Sequence, residues 1–317
     1  MNKYILFFIL FSCLAWACGD DGGNLTPSGD ERNWLVIEDN PGDPIDHQRY
    51  LIFKETGIPV YYNDTIGNEI RYSLAMGKEY MYYEVLQVFY VPGSITPGVK
   101  TANYELVKER ENVKPVLDYL QNVILPEIPT EMYVPSILLV DSLTSSSGNL
   151  AYKGFNTIVV SEVSEFAEMD EVAKKKYRGA VLRSLVAGSL VGTEGEWLEE
   201  NFYALTYEVN PGNLNYLYST GTIGYAVYRA CTGMDLKAEE QTLAVLGFIG
   251  TRTKPPVGQA ERSWYVPERN QDVSQYCEAI FAYTEEEFKA LHGEAPVVMS
   301  KYYVLRDKLK EYGFTFE

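Results

Sequence analysis

The chain has 317 residues, of which 46 % are hydrophobic and 22 % charged, and a formal net charge of −17. This is the composition of a folded globular protein, long enough for one large domain or two modest ones, and not of a disordered or collagen-like chain. The acidic balance argues against nucleic acid and against electrostatic docking to anionic headgroups, and two histidines cannot build a zinc site of three imidazoles.

Lys3, an apolar run from Tyr4 to Phe11, and Ser12-Cys13-Leu14-Ala15-Trp16-Ala17-Cys18 read as a signal peptide over residues 1–17. The run is too short for a stable membrane span. Ala15, Ala17 and Cys18 are similar to a lipobox, which makes Cys18 the expected lipidation site. Trp16 departs from that pattern, so an ordinary secreted protein cut near Ala17 stays open. Residues 18–33, rich in Gly, Asp, Ser and Pro, read as a lipidated flexible tether. Cys231 and Cys277 remain, either paired in an oxidising compartment or as two buried thiols.

Order is expected to begin near Trp34. A helix over Asp46 to Thr56 ends at Gly57, and Ile58 to Tyr62 reads as a short strand with Pro59 at its edge. Asn63 to Gly67 reads as a turn, and Glu79 to Tyr90, dominated by aromatic and β-branched residues, as a strand. Val113 to Leu125 carries helical spacing; Ser136 to Val140 and Thr157 to Val160 are short β runs. Helices follow over Asp170 to Val191, Gly221 to Cys231, Leu236 to Phe248, Val273 to Tyr283, Thr284 to His292 and Val297 to Tyr312. Thr284 with Glu287 forms a capping box. The expected organisation is a mixed α/β subdomain over residues 34–192 and a helical subdomain over 193–317, an α+β fold.

A mixed half, a long helix and a helical second half is the layout of a zincin metallopeptidase. Tyr50-Leu51-Ile52-Phe53-Lys54-Glu55-Thr56-Gly57-Ile58-Pro59-Val60-Tyr61-Tyr62 resembles the opening of a family of zinc metallopeptidase lipoproteins, the substrate import-associated zinc metallohydrolases, encoded beside TonB-dependent importers. Thr157 to Val160, the loop Ser161 to Met169 and the long helix extend the resemblance in order over most of residues 45–283. It implies a zincin-like fold, an outer-membrane lipid anchor exposed at the cell surface, and a part in nutrient uptake. In that family the helix carries L-R-H-E-x-x-H. Two His at i and i+4 reach one zinc, and the Glu takes a proton from the metal-bound water. Here Leu182-Arg183 is followed by Ser184, Leu185 and Gly188 at the His, Glu and His positions. A later acidic ligand aligns with Gln275, where Gln271-Asp272-Val273-Ser274-Gln275 stands for a pattern like E-D-F-x-E. These four positions read as a vestigial zinc site, so no metal, no cofactor and no catalytic residue is expected.

Other constellations are weaker. His47 and His292 sit at helix ends and need no metal. Asp39 to Asp46 holds several carboxylates but matches no EF-hand spacing, and reads as a turn and cap. Glu194 to Glu200 reads as a solvated acidic face. Trp197, Tyr203 and Tyr207, with Phe202, Tyr216, Tyr218, Trp264 and Tyr265, are candidate cleft aromatics or plain core. Three functions compete. One is a non-catalytic metallopeptidase homologue binding a peptide or glycan for a TonB-dependent importer. The second is a structural partner of an outer-membrane import complex, its cleft filled by Leu185. The third is an active hydrolase of unrecognised chemistry.

Overall fold

The computed structural model describes residues 32–88, 102–145, 148–209, 218, 243–252 and 265–316. The signal peptide, Cys18, most of the tether, the helix expected over Gly221 to Cys231, Tyr216 and Trp264 lie outside the described residues. Leu35–Glu317 form one compact unit. Of the preceding unit, Arg32–Trp34 are described, with the Arg32 guanidinium 4.1 Å from the Trp34 ring centre.

The first helix, α1 (Pro44–Thr56), is set by its ends. Asp43 caps it, accepting from the backbone N–H groups of Ile45 and Asp46, and Pro44 opens its first turn. Gly57, at φ 74°, closes it and donates its N–H to Phe53. The chain then enters β1 (Val60–Tyr61) and a hairpin of β2 (Thr65–Ser73) and β3 (Lys78–Val85). The turn expected over Asn63 to Gly67 is therefore shorter, and a strand follows where none was expected. Gly67, Asn68, Glu69 and Arg71 are poor strand formers; cross-strand pairing with β3 carries them.

Strand β4 (Ala102–Leu106), helix α2 (Val113–Tyr119) and strands β5 (Ile137–Ser145), β6 (Ala151–Lys153) and β7 (Ile158–Val160) follow. The helix expected to Leu125 changes form: Leu120–Ile124 is a π turn and Leu125–Glu127 a 3-10 turn around Pro126. The sheet runs β1-β5-β7-β6, with β4 antiparallel on the far half of β5. β1 and β7 lie parallel to β5, and β6 runs antiparallel on β7 at the edge. Burial alternates through the sheet. Val60, Ile137, Leu139, Ile158 and Val160 face the larger core with the helices. Tyr61, Leu138, Val140 and Val159 face a second core closed by Ile37, Leu86 and Val88. Burial on both faces explains the uninterrupted apolar runs.

The long helix α3 (Glu171–Thr193) starts at Asp170, whose carboxylate accepts from the Ala173 N–H. A short turn, Gly195–Trp197, and a π stretch, Leu198–Tyr203, lead into α4 (Ala204–Val209), and α5 (Arg269–Ala282), α6 (Glu285–His292) and α7 (Pro296–Glu311) follow. The capping box of Thr284 and Glu287 is present. The architecture is mixed α and β. The boundary expected near Gly192 falls within α3, and residues on both sides of it, such as Ile137 and Tyr276, belong to one core.

That core encloses an ion pair. Lys301 Nζ lies 2.8 Å from Asp272 Oδ2, both side chains fully buried, and the Tyr218 hydroxyl donates to the same oxygen at 2.7 Å. The Lys301 ammonium sits 4.5 Å from the Phe202 ring centre and 4.8 Å from that of Phe248. Burial drives the Asp272 pKa up and the Lys301 pKa down, against their mutual attraction. Cys277 is a free thiol in the same core, pushed up to about 12 by burial and hence unreactive. Cys231, with which pairing stays open, lies outside the described residues.

Candidate functional site: a groove beside the edge strand

Helix α3 runs beside edge strand β6, and between them lies a groove of about 430 Å³. One wall is β6 itself, Ala151 to Lys153. The floor is one stripe of α3, Ser184, Ala187, Gly188, Val191 and Gly192, and the far wall is Asn270 and Ser274 of α5. The floor is low because its residues are small. A Cβ added at Gly188 or Gly192 would meet no atom within 4 Å. The Ser184 hydroxyl folds back on its own helix, donating to the Val181 carbonyl at 2.6 Å.

The register of β6 directs its backbone. Ser161 N–H donates to Leu150 O, Gly154 N–H to Thr157 O, and Tyr152 stands opposite Val159. By the alternation of an antiparallel ladder, Tyr152 spends its backbone groups on β7, and those of Ala151 and Lys153 face outward. Arg183 takes one of them: its Nη2 donates to the Ala151 carbonyl at 3.1 Å. The Arg183 Nε lies 3.2 Å from Glu278 on α5, so one buried guanidinium joins strand, helix and helix. Burial raises the Glu278 pKa, and the charge of Arg183 opposes the rise. Gly148, at φ +123°, leaves the room this guanidinium occupies; a Cβ there would lie 3.1 Å from Nη2.

Ser184 and Gly188 thus stand together on the groove floor, at the helical spacing the sequence suggested. Leu185 does not join them; it is buried in the larger core, so it does not fill the groove. Gln275 is turned away, donating to the Thr251 carbonyl at 2.8 Å, and Gln271 closes the cap of α5 on Glu268. Asn270 and Ser274, one position earlier than each Gln, face the groove instead. The candidate aromatics are elsewhere too. Trp197 packs on the core under Lys308, Tyr203 is buried and donates to the Arg269 carbonyl, and Tyr207 is exposed away from the groove. The aromatic that lines the groove is Tyr152.

The remaining candidates have structural partners. Asp43 holds Arg110 with both oxygens at 2.6 Å, Asp46 holds Arg49, and Asp39 meets His47 at 2.7 Å, so the acidic loop is a cap and an ion-pair network. His292 packs at a tilt against Phe288, ring centres 4.7 Å apart, and burial lowers its pKa. Glu194 pairs with Lys308, and Glu199 with Arg269. Among the described residues, no three or more His, Cys, Asp or Glu side chains gather as a metal cluster. The described lining offers hydroxyls, an amide, an ammonium and a guanidinium, whereas zinc takes imidazole, thiolate or carboxylate. These residues do not fit a zinc ion. Lys153, Asn270 and Ser274 were not singled out from sequence, because a three-residue strand and two small polar side chains leave no periodic signal.

No known protein family, curated protein or solved structure matches this chain.

Proposed function

We propose that the chain is a surface-anchored lipoprotein with the layout of a zincin metallopeptidase, and that its groove binds an extended peptide without cleaving it, in the service of outer-membrane nutrient uptake. The observation that carries this reading is the groove itself. It runs between an edge strand and the long helix, over Ser184 and Gly188, where a metallopeptidase would hold its metal. Among the described residues, its lining holds no carboxylate, imidazole or thiol.

The chemistry favours a peptide over a glycan. An extended chain laid along β6 can pair with the outward backbone groups of Lys153, as peptides do on exposed sheet edges. Glycine at 188 and 192 leaves room for its side chains. Arg183 is buried and already paired with Glu278, so the exposed charge in the lining is the Lys153 ammonium, which suits an acidic side chain. A sugar would gain most from several aromatic faces, and the lining contributes one.

The test uses the full chain in detergent and a short fluorescent peptide of alternating Val and Glu. The expected result is saturable binding that Gly188→Phe abolishes with the melting temperature retained, and substoichiometric zinc after incubation and desalting. One zinc per chain together with peptide cleavage would sink the reading. Separately, Cys18→Ala is expected to release the protein from membranes; retention would remove the lipid anchor from the proposal.

A further inference from the structure

The β2–β3 hairpin carries an apolar face that no other part of the described chain covers. The ladder sets Asn68 opposite Tyr83, Ile70 opposite Met81 and Tyr72 opposite Glu79, and alternation puts these six on one side. Ile70, Tyr72, Met81 and Tyr83 are all exposed, Ile70 by 65 %. At the turn beyond them Leu74 is 91 % exposed and Met76 57 %. The opposite side is more polar: Arg71 pairs with Glu69 and lies 3.5 Å from the Tyr82 ring centre, with Tyr80 38 % exposed beside them. None of these hairpin residues enters either core.

The hairpin is nonetheless firmly set at its base. Leu86 and Val88 are buried, Ile66 packs beside them, and Leu86 N–H donates to Asp64 O at 2.8 Å. Tyr104 on β4 donates to the Asp64 carboxylate, also at 2.8 Å. A two-stranded ribbon is marginal by itself, and an apolar face of this extent marks an interaction surface.

We propose that this face is a self-association surface, closing a two-fold dimer of the chain. Three observations select a second copy. The first is area. At roughly 200 Å² per large side chain, the exposed parts of Ile70, Tyr72, Met81 and Tyr83 sum to about 460 Å², and Leu74 and Met76, each reaching toward the base of the other copy's hairpin, bring the total to about 750 Å², close to the roughly 800 Å² each partner buries in a standard interface. The second is self-complementarity. A two-fold axis through the Ile70–Met81 pair lays the Tyr72–Glu79 end of one copy over the Asn68–Tyr83 end of the other. Glu79 then meets an amide and a phenol that can donate to it. The third is Glu79 itself. A carboxylate on the face would be stranded in a bilayer, whereas a protein interface can satisfy it. The proposal rests on the hairpin alone and stands whatever the groove binds.

Light scattering on the full chain at micromolar concentration, with detergent mass subtracted, tests it. The expected protein mass is twice that of one processed chain. Ile70→Asp with Met81→Asp should halve that mass while leaving the melting curve in place, because neither residue enters a core. Met81→Cys, beside the axis, should form a reducible cross-linked dimer, and Leu74→Cys, at the tips that the axis holds apart, should not. A native chain of single mass, or a dimer that survives both Asp substitutions, would overturn the proposal. So would a single-mass chain whose flotation with phosphatidylcholine vesicles the Asp substitutions reduce, since the face would then be lipid-binding.

Discussion

Gly179 and Gly188 belong to the same helix and meet opposite surroundings. At Gly179, α3 presses on α5: an added Cβ would lie 2.5 Å from the Glu278 carbonyl oxygen and 2.9 Å from the Ala282 Cβ. At Gly188 the same helix has turned to the groove, and an added Cβ meets nothing. One glycine lets two backbones approach; the other keeps a floor low. Sequence treats both alike, as helix-weakening residues. Only the partner across the helix tells which is structural and which leaves a site open.

The core behind the helices can be broken most severely at its buried ion pair. Lys301→Met leaves Asp272 buried without its counter-charge and is expected to cost about 3–5 kcal/mol, read by denaturant titration. Adding Asp272→Asn should recover most of the loss; if it does not, packing around the Lys301 stem is the larger contribution. Gly179→Ala comes next, with about 1–3 kcal/mol of destabilisation from overpacking against α5. Gly188→Ala should move the other way, stabilising by about 0.5–1 kcal/mol as a helix-interior glycine is replaced in open space. Equal effects from the two alanines would dissolve the contrast between the halves.

The smallest effect is a pH dependence on the closed side. Glu287 caps α6 and bonds to Lys175 of α3, and that bond holds its carboxyl below the usual 4.5. A depressed folded pKa means stabilisation that is complete above the ordinary value and lost as pH falls through the folded one. The melting temperature should therefore decline below about pH 4.5, and decline less in Glu287→Gln. An unchanged acid limb in that variant would show that other carboxylates govern it.

Much of the fold was legible where a residue acts locally. Gly57 stops α1, Asp170 starts α3, and Thr284 with Glu287 marks α6, because caps are chemistry between near neighbours. The buried runs of β5 and β7 announced themselves by composition. The short strands β4 and β6 did not, since three to five residues hold no period, and β2 hid behind charged residues that only its partner strand accommodates. The groove was half legible. Ser184 and Gly188 share its floor as helical spacing requires, but the rotation of α5 placed Asn270 and Ser274, not Gln271 and Gln275, across from them. Of the two readings open for the aromatics, plain core holds for Phe202 and Tyr203, which answer to Tyr276 and Tyr218 rather than to the groove.

The parallel pairing of β1 with β5 sets a timetable. Val60 registers with Ile137, so the hairpin, β4 and α2 must all be synthesised before β1 finds its neighbour. At roughly 5–20 residues per second, that wait is several seconds, whereas a hairpin closes in about 1–10 μs. The β2–β3 ribbon can therefore form and dissolve many thousands of times beside an unpaired β1. A chain in that interval exposes Val60, Tyr61 and the hairpin's apolar face together until Ile137 and Leu138 arrive.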